Sequence, residues 1–85
     1  MTEIEAAARL GRITMNPSIL GGKPVIRGTR VAVEHLLDDL AAGETPDSIL
    51  ANFPFLTLDD IQACLLFAAR TVNLAAAGVR DADPG

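Results

Sequence analysis

From Val33 to Ala42 the apolar residues Val33, Leu36, Leu37 and Leu40 recur at helical spacing. Glu34, Asp38 and Asp39 make the wet side, and Gly43 is placed to end the run. A second, shorter helix is predicted from Thr45-Pro46-Asp47, which supplies a capping hydroxyl, a proline at the first helical position and an acid on the positive end of the dipole. Ile49, Leu50 and Phe53 are its inward residues, and Pro54 stops it. The third helix has the clearest start. Thr57 to Asp60 matches the capping-box pattern with Asp in place of Glu, Leu56 and Ile61 stand at the staple positions, and the run continues to about Ala76 with Gly78 beyond it. Upstream the period changes. Arg12-Ile13-Thr14-Met15 alternates as a short strand would, with the extended piece near Val25 as its pairing partner, and Met1 to Gly11 is expected to hold a frayed helical turn or two.

The third helix is apolar on more than one side. Ile61, Cys64, Leu65, Ala68 and Val72 form the face expected toward the other two helices, and Ala63, Leu66, Phe67 and Leu74 form a second seam. A second subunit covering that seam in a homo-oligomer is one reading, with Phe67 and Leu74 central; an arm folded over it within the monomer is the other.

Between the first strand and the first of these helices lies Asn16-Pro-Ser-Ile-Leu-Gly-Gly-Lys-Pro-Val-Ile-Arg-Gly-Thr-Arg30, which three helices and a core would not by themselves require. Its glycines and prolines specify a set of turns. Gly28 stands where a type II′ hairpin turn needs a glycine, and in that geometry Arg27 and Arg30 face each other across the turn. Such a pair is either an anion or carboxylate site or a hydrated exposed turn.

With 85 residues the chain is one domain, burying roughly 60% of its unfolded surface. The expected organisation is a flexible start over 1–11, a domain over 12–77 divided into a basic arm (12–32) and a three-helix unit (33–77), and a flexible tail over 78–85. Charge sharpens that division. Between Ala6 and Val33 lie five basic residues, Arg9, Arg12, Lys23, Arg27 and Arg30, and no acid; between Glu34 and Ala69 lie seven acids and no Lys or Arg. A basic arm on an acidic body points to a polyanion meeting the arm. The single cysteine, Cys64, excludes an internal disulfide, and with one histidine, His35, it builds no metal cluster. Glu3 and Glu5 interrupt the start, so neither a signal peptide nor a membrane anchor is expected there, and the cytoplasm is the expected compartment. Catalysis is not expected. Gly21-Gly22-Lys23 lacks the earlier glycine of a phosphate loop and has Pro24 where the hydroxyl residue belongs. Adjacent pairs such as Asp59-Asp60 point about 100° apart on a helix and so are read as solvated acids. No metal or cofactor is expected.

Asn16-Pro17, the run from Gly21 to Arg30, the Ala-Gly before Thr45-Pro46, Phe53-Pro54-Phe55-Leu56-Thr57, and Ile61 with Phe67-Ala68-Ala69 together resemble the bacterial family catalogued as domain of unknown function 433. The resemblance covers about Ile13 to Ala69, with Phe53 and Phe67 where tyrosine is common. It implies a mainly α fold: a homeodomain-like three-helix (helix-turn-helix) bundle preceded by an extended N-terminal arm with one or two short β-strands. It further implies an antitoxin of a type II toxin–antitoxin pair, neutralising a PIN-like ribonuclease toxin and binding its own operator DNA. A structural homo-oligomeric interaction module without nucleic-acid binding is the alternative. On the antitoxin reading the candidate contacts to toxin or duplex DNA are Arg12, Lys23, Arg27, Gly28, Thr29 and Arg30, with Gln62 as the base reader. Asp59 and Asp60 at the start of the third helix argue against ordinary major-groove reading.

Overall fold

A computed structural model of the chain describes residues 1–77. The elements in order are α1 (Glu3–Leu10), β1 (Ile13–Thr14), a single 3-10 turn (Leu20–Gly22), β2 (Val25–Ile26), α2 (Val33–Ala41), α3 (Pro46–Asn52) and α4 (Leu58–Ala77). The expected tail and Gly78 lie outside the described residues.

The three downstream helices form where their caps are. Gly43, at φ 98°, ends α2: the Glu44 N–H reaches the Asp39 carbonyl at 2.9 Å and the Gly43 N–H the Leu40 carbonyl at 3.1 Å. This reciprocal closure satisfies the last carbonyls of the helix and uses the left-handed conformation that glycine adopts without penalty. Thr45 caps α3, accepting from the Ser48 N–H at 3.1 Å while Ser48 Oγ accepts from the Thr45 N–H at 3.1 Å. At α4 the Thr57 N–H donates to Asp60 Oδ2 at 2.9 Å, and the Asp60 N–H donates back to Thr57 Oγ1 at 3.4 Å.

β1 pairs antiparallel with β2, Ile13 opposite Ile26 and Thr14 opposite Val25, and Val25 bridges Ala32 on its other side. Ile13 and Ile26 thereby enter the same core as Val33 and Leu36 of α2, Ile49 of α3, Leu56, and Ile61, Ala63 and Cys64 of α4. A two-residue ladder is too short to persist alone; its burial on the helices is what holds it. The segment over 12–32 is therefore part of the packed domain rather than an arm extended from it. Cys64 is fully buried in that core. Burial, with Asp60 nearby, pushes its thiol up to about 12, so it packs as a small core residue in the protonated form near neutral pH.

The first eleven residues hold a capped helix of eight residues. Thr2 and Glu5 form a capping box, with 3.1 Å from the Glu5 N–H to Thr2 Oγ1 and 3.2 Å from the Thr2 N–H to Glu5 Oε1. The two hydrogen bonds from Thr2 hold the Glu5 carboxyl below its usual range. α1 lies antiparallel on α4: Glu3 approaches Arg70 at 3.8 Å at one end, and Arg12, just past α1, reaches Asp60 at 3.0 Å at the other. Ala6 is the residue α1 buries, and its small side chain permits a close approach.

This packing corrects the expected faces of α4. Ala63, assigned to an open seam, is fully buried, and Leu66 and Phe67 are half-buried, whereas Leu74 is 76% exposed. Leu65 and Val72, expected to face inward, are 48% and 66% exposed. The physical reason is that α1 occupies one flank of α4, which rotates the unpaired surface away from where two flanking helices alone would leave it. No helix of the described residues is long and apolar enough to cross a membrane.

Candidate interaction site

The stretch from Asn16 to Arg30 folds as two tight turns. In the first, Asn16 Oδ1 accepts from the Ser18 N–H at 3.0 Å and from Ser18 Oγ at 2.6 Å, and the Ile19 N–H donates to the Asn16 carbonyl at 2.8 Å. Three successive residues, Leu20, Gly21 and Gly22, then take φ of 49°, 66° and 88°. Glycine adopts such angles freely; a leucine there is strained, and Leu20 is the one non-glycine residue at positive φ among those described. Its side chain is 41% exposed.

The second turn differs from the expected type. The Thr29 N–H donates to the Ile26 carbonyl at 3.0 Å and the Ile26 N–H to the Val31 carbonyl at 3.0 Å. Gly28, at φ 78°, is thus not the second but the third residue of the turn Ile26–Thr29, and the third is the position a type II turn reserves for positive φ. Thr29 works inside the turn: its Oγ1 donates to the Ile26 carbonyl at 2.8 Å and accepts from the Val31 N–H at 3.0 Å. That shift of register separates the arginines. Arg27 Nε donates to the Gly11 carbonyl at 2.9 Å, a cation set at the C-terminal end of α1. Arg30 instead lines a shallow apolar hollow with Leu20, Val31, Ala32, His35 and Phe53. The facing arginine pair is not formed.

Within that hollow His35 meets Phe53 edge to face, ring centroids 5.7 Å apart, and lies 3.5 Å from Asp39 one turn along α2. Phe55 extends the aromatic surface, its ring 6.1 Å from Phe53 and 61% exposed. Leu20, His35 and Phe53 were not singled out as site residues from sequence. Their convergence depends on a turn conformation that no periodicity reports.

The remaining basic candidates are paired internally. Arg12 lies 3.0 Å from Asp60 and 3.5 Å from Asp59. Asp60 is not the solvated acid expected: it is 7% exposed and shared between the cap and Arg12. Lys23 contacts Glu34 at 2.6 Å, and that hydrogen bond raises its affinity for the proton. Among the described residues Arg27 and Arg30 have no carboxylate at ion-pair distance. Gln62 is half-buried and borders a different depression, with Met1, Arg9, Leu65 and Leu66. No group of three or more His, Cys, Asp or Glu that would hold a metal occurs among the described residues.

The fold has a solved counterpart. A crystal structure of a DUF433 member protein from Anabaena variabilis matches with a TM-score of 0.69 and 25% identity, covering 91% of this chain and 83% of that one. The uncharacterized protein y4eO of Sinorhizobium fredii is 38% identical over 64 residues. That match takes in 75% of this chain but only 29% of the relative's length. A family model described as a protein of unknown function (DUF433) matches residues 13–68, spanning both turns, α2, α3 and the first half of α4. The chain belongs to the DUF433 family.

Proposed function

We propose that this protein is an antitoxin that neutralises a PIN-like ribonuclease through the turn bearing Arg30 and the hollow beside it. The observation that carries the reading is the presentation of Arg30: a charged fork on a hydrogen-bonded turn, with no ion-pair partner among the described residues, beside an apolar hollow. A nuclease that holds magnesium with clustered carboxylates offers the complement. A guanidinium pairs bidentately with such carboxylates and competes with the metal, while Leu20 and Phe53 bury an apolar neighbour of that site. Rigidity matters because a turn already ordered loses little entropy on docking.

Operator DNA is the second reading, based on the homeodomain-like arrangement that the family resemblance implies for the three downstream helices. It has weaker support. Arg12 and Lys23 are already neutralised within the chain, and the first turn of α4 presents the exposed Asp59 where a phosphate would approach.

The test is co-expression with a PIN-like ribonuclease from an adjacent reading frame, scored by growth and by recovery of the complex. Arg30→Ala should abolish both, Arg30→Lys should restore part of the protection because charge survives without the planar fork, and Lys23→Ala should behave as wild type. Full protection by Arg30→Ala would refute this assignment of the contact, and a wild type that neither protects nor binds would favour the purely structural alternative.

A further inference from the structure

The long helix carries a second repeat that the monomer leaves uncovered. Leu58, Gln62, Leu65, Ala69, Val72 and Ala76 follow one another at alternating steps of four and three residues, the spacing of a coiled-coil seam. All six lie on the outward side of α4. Leu58, Leu65 and Val72 are 49%, 48% and 66% exposed, Ala69 and Ala76 are exposed, and Gln62 is half-buried. At about 1.5 Å per residue the stripe runs for roughly 27 Å.

We propose that this stripe is the seam of a homodimer in which α4 of a second copy lies antiparallel on α4 of the first. The occupant follows from the order of residues. Aligned antiparallel about a two-fold axis at residue 67, Leu58 meets Ala76, Gln62 meets Val72, and Leu65 meets Ala69, each pair occurring twice. Every leucine then sits over an alanine, and all six positions are matched with none left over. Such large-on-small alternation fills a helix interface without voids, and a two-fold arrangement makes it self-complementary. A parallel pair would stack leucine on leucine and leave empty layers at the alanines. Charge supports the same occupant. The stripe bears no ionised side chain, and Arg70, the one charged residue of α4 beyond Asp60, pairs with Glu3 on the α1 flank. A nucleic acid or a charged partner finds nothing to hold there. Met1 and Leu66, which border the stripe beside Gln62 and Leu65, extend the contact at its edge.

The proposal is independent of the antitoxin reading. It is tested by sedimentation of the full chain at rising concentration. Because a single helix pair falls short of the about 800 Å² per partner of a standard interface, the range should extend to roughly 100 μM. Wild type should pass from one chain to two, and Leu65→Glu with Val72→Glu should remain one chain with an unchanged helical spectrum. Leu74→Glu should still dimerise, since Leu74 is off the seam although 76% exposed. Orientation is read by oxidation: Leu65→Cys mixed with Ala69→Cys should cross-link, and Leu65→Cys alone should not. A wild type that stays monomeric, a Leu65→Glu and Val72→Glu protein that still dimerises, or cross-linking of Leu65→Cys with itself would each overturn the proposal.

Discussion

Removing the Asp60 carboxylate tests what joins the two halves of the chain. One oxygen accepts from the Thr57 N–H at 2.9 Å and from Thr57 Oγ1 at 3.2 Å; the other accepts from Arg12 at 3.0 Å. Asp60→Ala deletes its half of the α4 cap, a loss of about 1 kcal/mol. It also deletes a charge-assisted hydrogen bond whose carboxylate side chain is 10% exposed. Such a bond is worth roughly 1.5–3 kcal/mol when buried. Because the Arg12 side chain is 42% exposed and retains Asp59 at 3.5 Å, about 1 kcal/mol is the appropriate share. The total of about 2 kcal/mol corresponds to a fall in Tm of roughly 10 °C for a domain of this size. Urea denaturation at one fixed protein concentration measures it, so that any self-association is held constant. Asp60→Asn keeps the shape and an acceptor for Thr57 while losing the charge, and should fall near the midpoint. In a double-mutant cycle with Arg12→Ala the coupling should be about 1 kcal/mol. An Asp60→Ala protein within about 0.5 kcal/mol of wild type would refute the claim that this carboxylate ties β1 to α4.

Gly28→Val should lower stability by about 1–3 kcal/mol chiefly through the backbone, because a Cβ placed there meets no atom within 4 Å while a φ of 78° strains any L side chain. The helices should persist by circular dichroism, and a variant as stable as wild type would mean the turn tolerates another conformation. Cys64 makes stability pH-dependent at the alkaline end. Its folded pKa of about 12 lies above the ordinary 9.0, so the unfolded chain ionises first. The contribution is complete below pH 9 and declines above it, by at most about 1.4 kcal/mol per pH unit. Equilibrium unfolding between pH 8.5 and 10.5, with Cys64→Ala as the control lacking this slope, measures the decline; equal slopes for both proteins would count against it.

Features set by neighbours in sequence were readable without a structure. Thr45-Pro46, Thr57 with Asp60 and Gly43 place helix ends through bonds that span three to five residues, so the residue types alone carry the information. The start of α1 belongs to the same class. Thr2 and Glu5 have the spacing of a capping box, a signal carried by residue types three positions apart. The turns were harder. Gly28 announced positive φ, but whether it stood second or third depended on which carbonyl the Thr29 N–H would find, and that choice decided where both arginines went. Leu20 gave no warning at all: an αL leucine between Ile19 and Gly21 is imposed by the turns around it.

The charge pattern shows why a correct observation led to a different structure. Basic residues before Val33 and acids after it are segregated along the chain, a pattern that by itself points to an arm left free for a polyanion. In three dimensions the same segregation is what lets the chain close on itself. Arg12 finds Asp60 at a separation of 48 residues, and Lys23 finds Glu34 at 11. The Arg12 contact falls where an apolar ladder of two residues could not hold β1 unaided. Opposite charge in two segments thus favours their contact with each other as much as contact with any external partner, and the cost of closing the loop between them grows only slowly with its length. What remains outward, with no carboxylate at ion-pair distance among the described residues, is Arg27 on the Gly11 carbonyl and Arg30 beside the hollow. Arg30 is a candidate for recognition because of the backbone of residues 26–31, which orients it, and not because of the net charge of the segment that contains it.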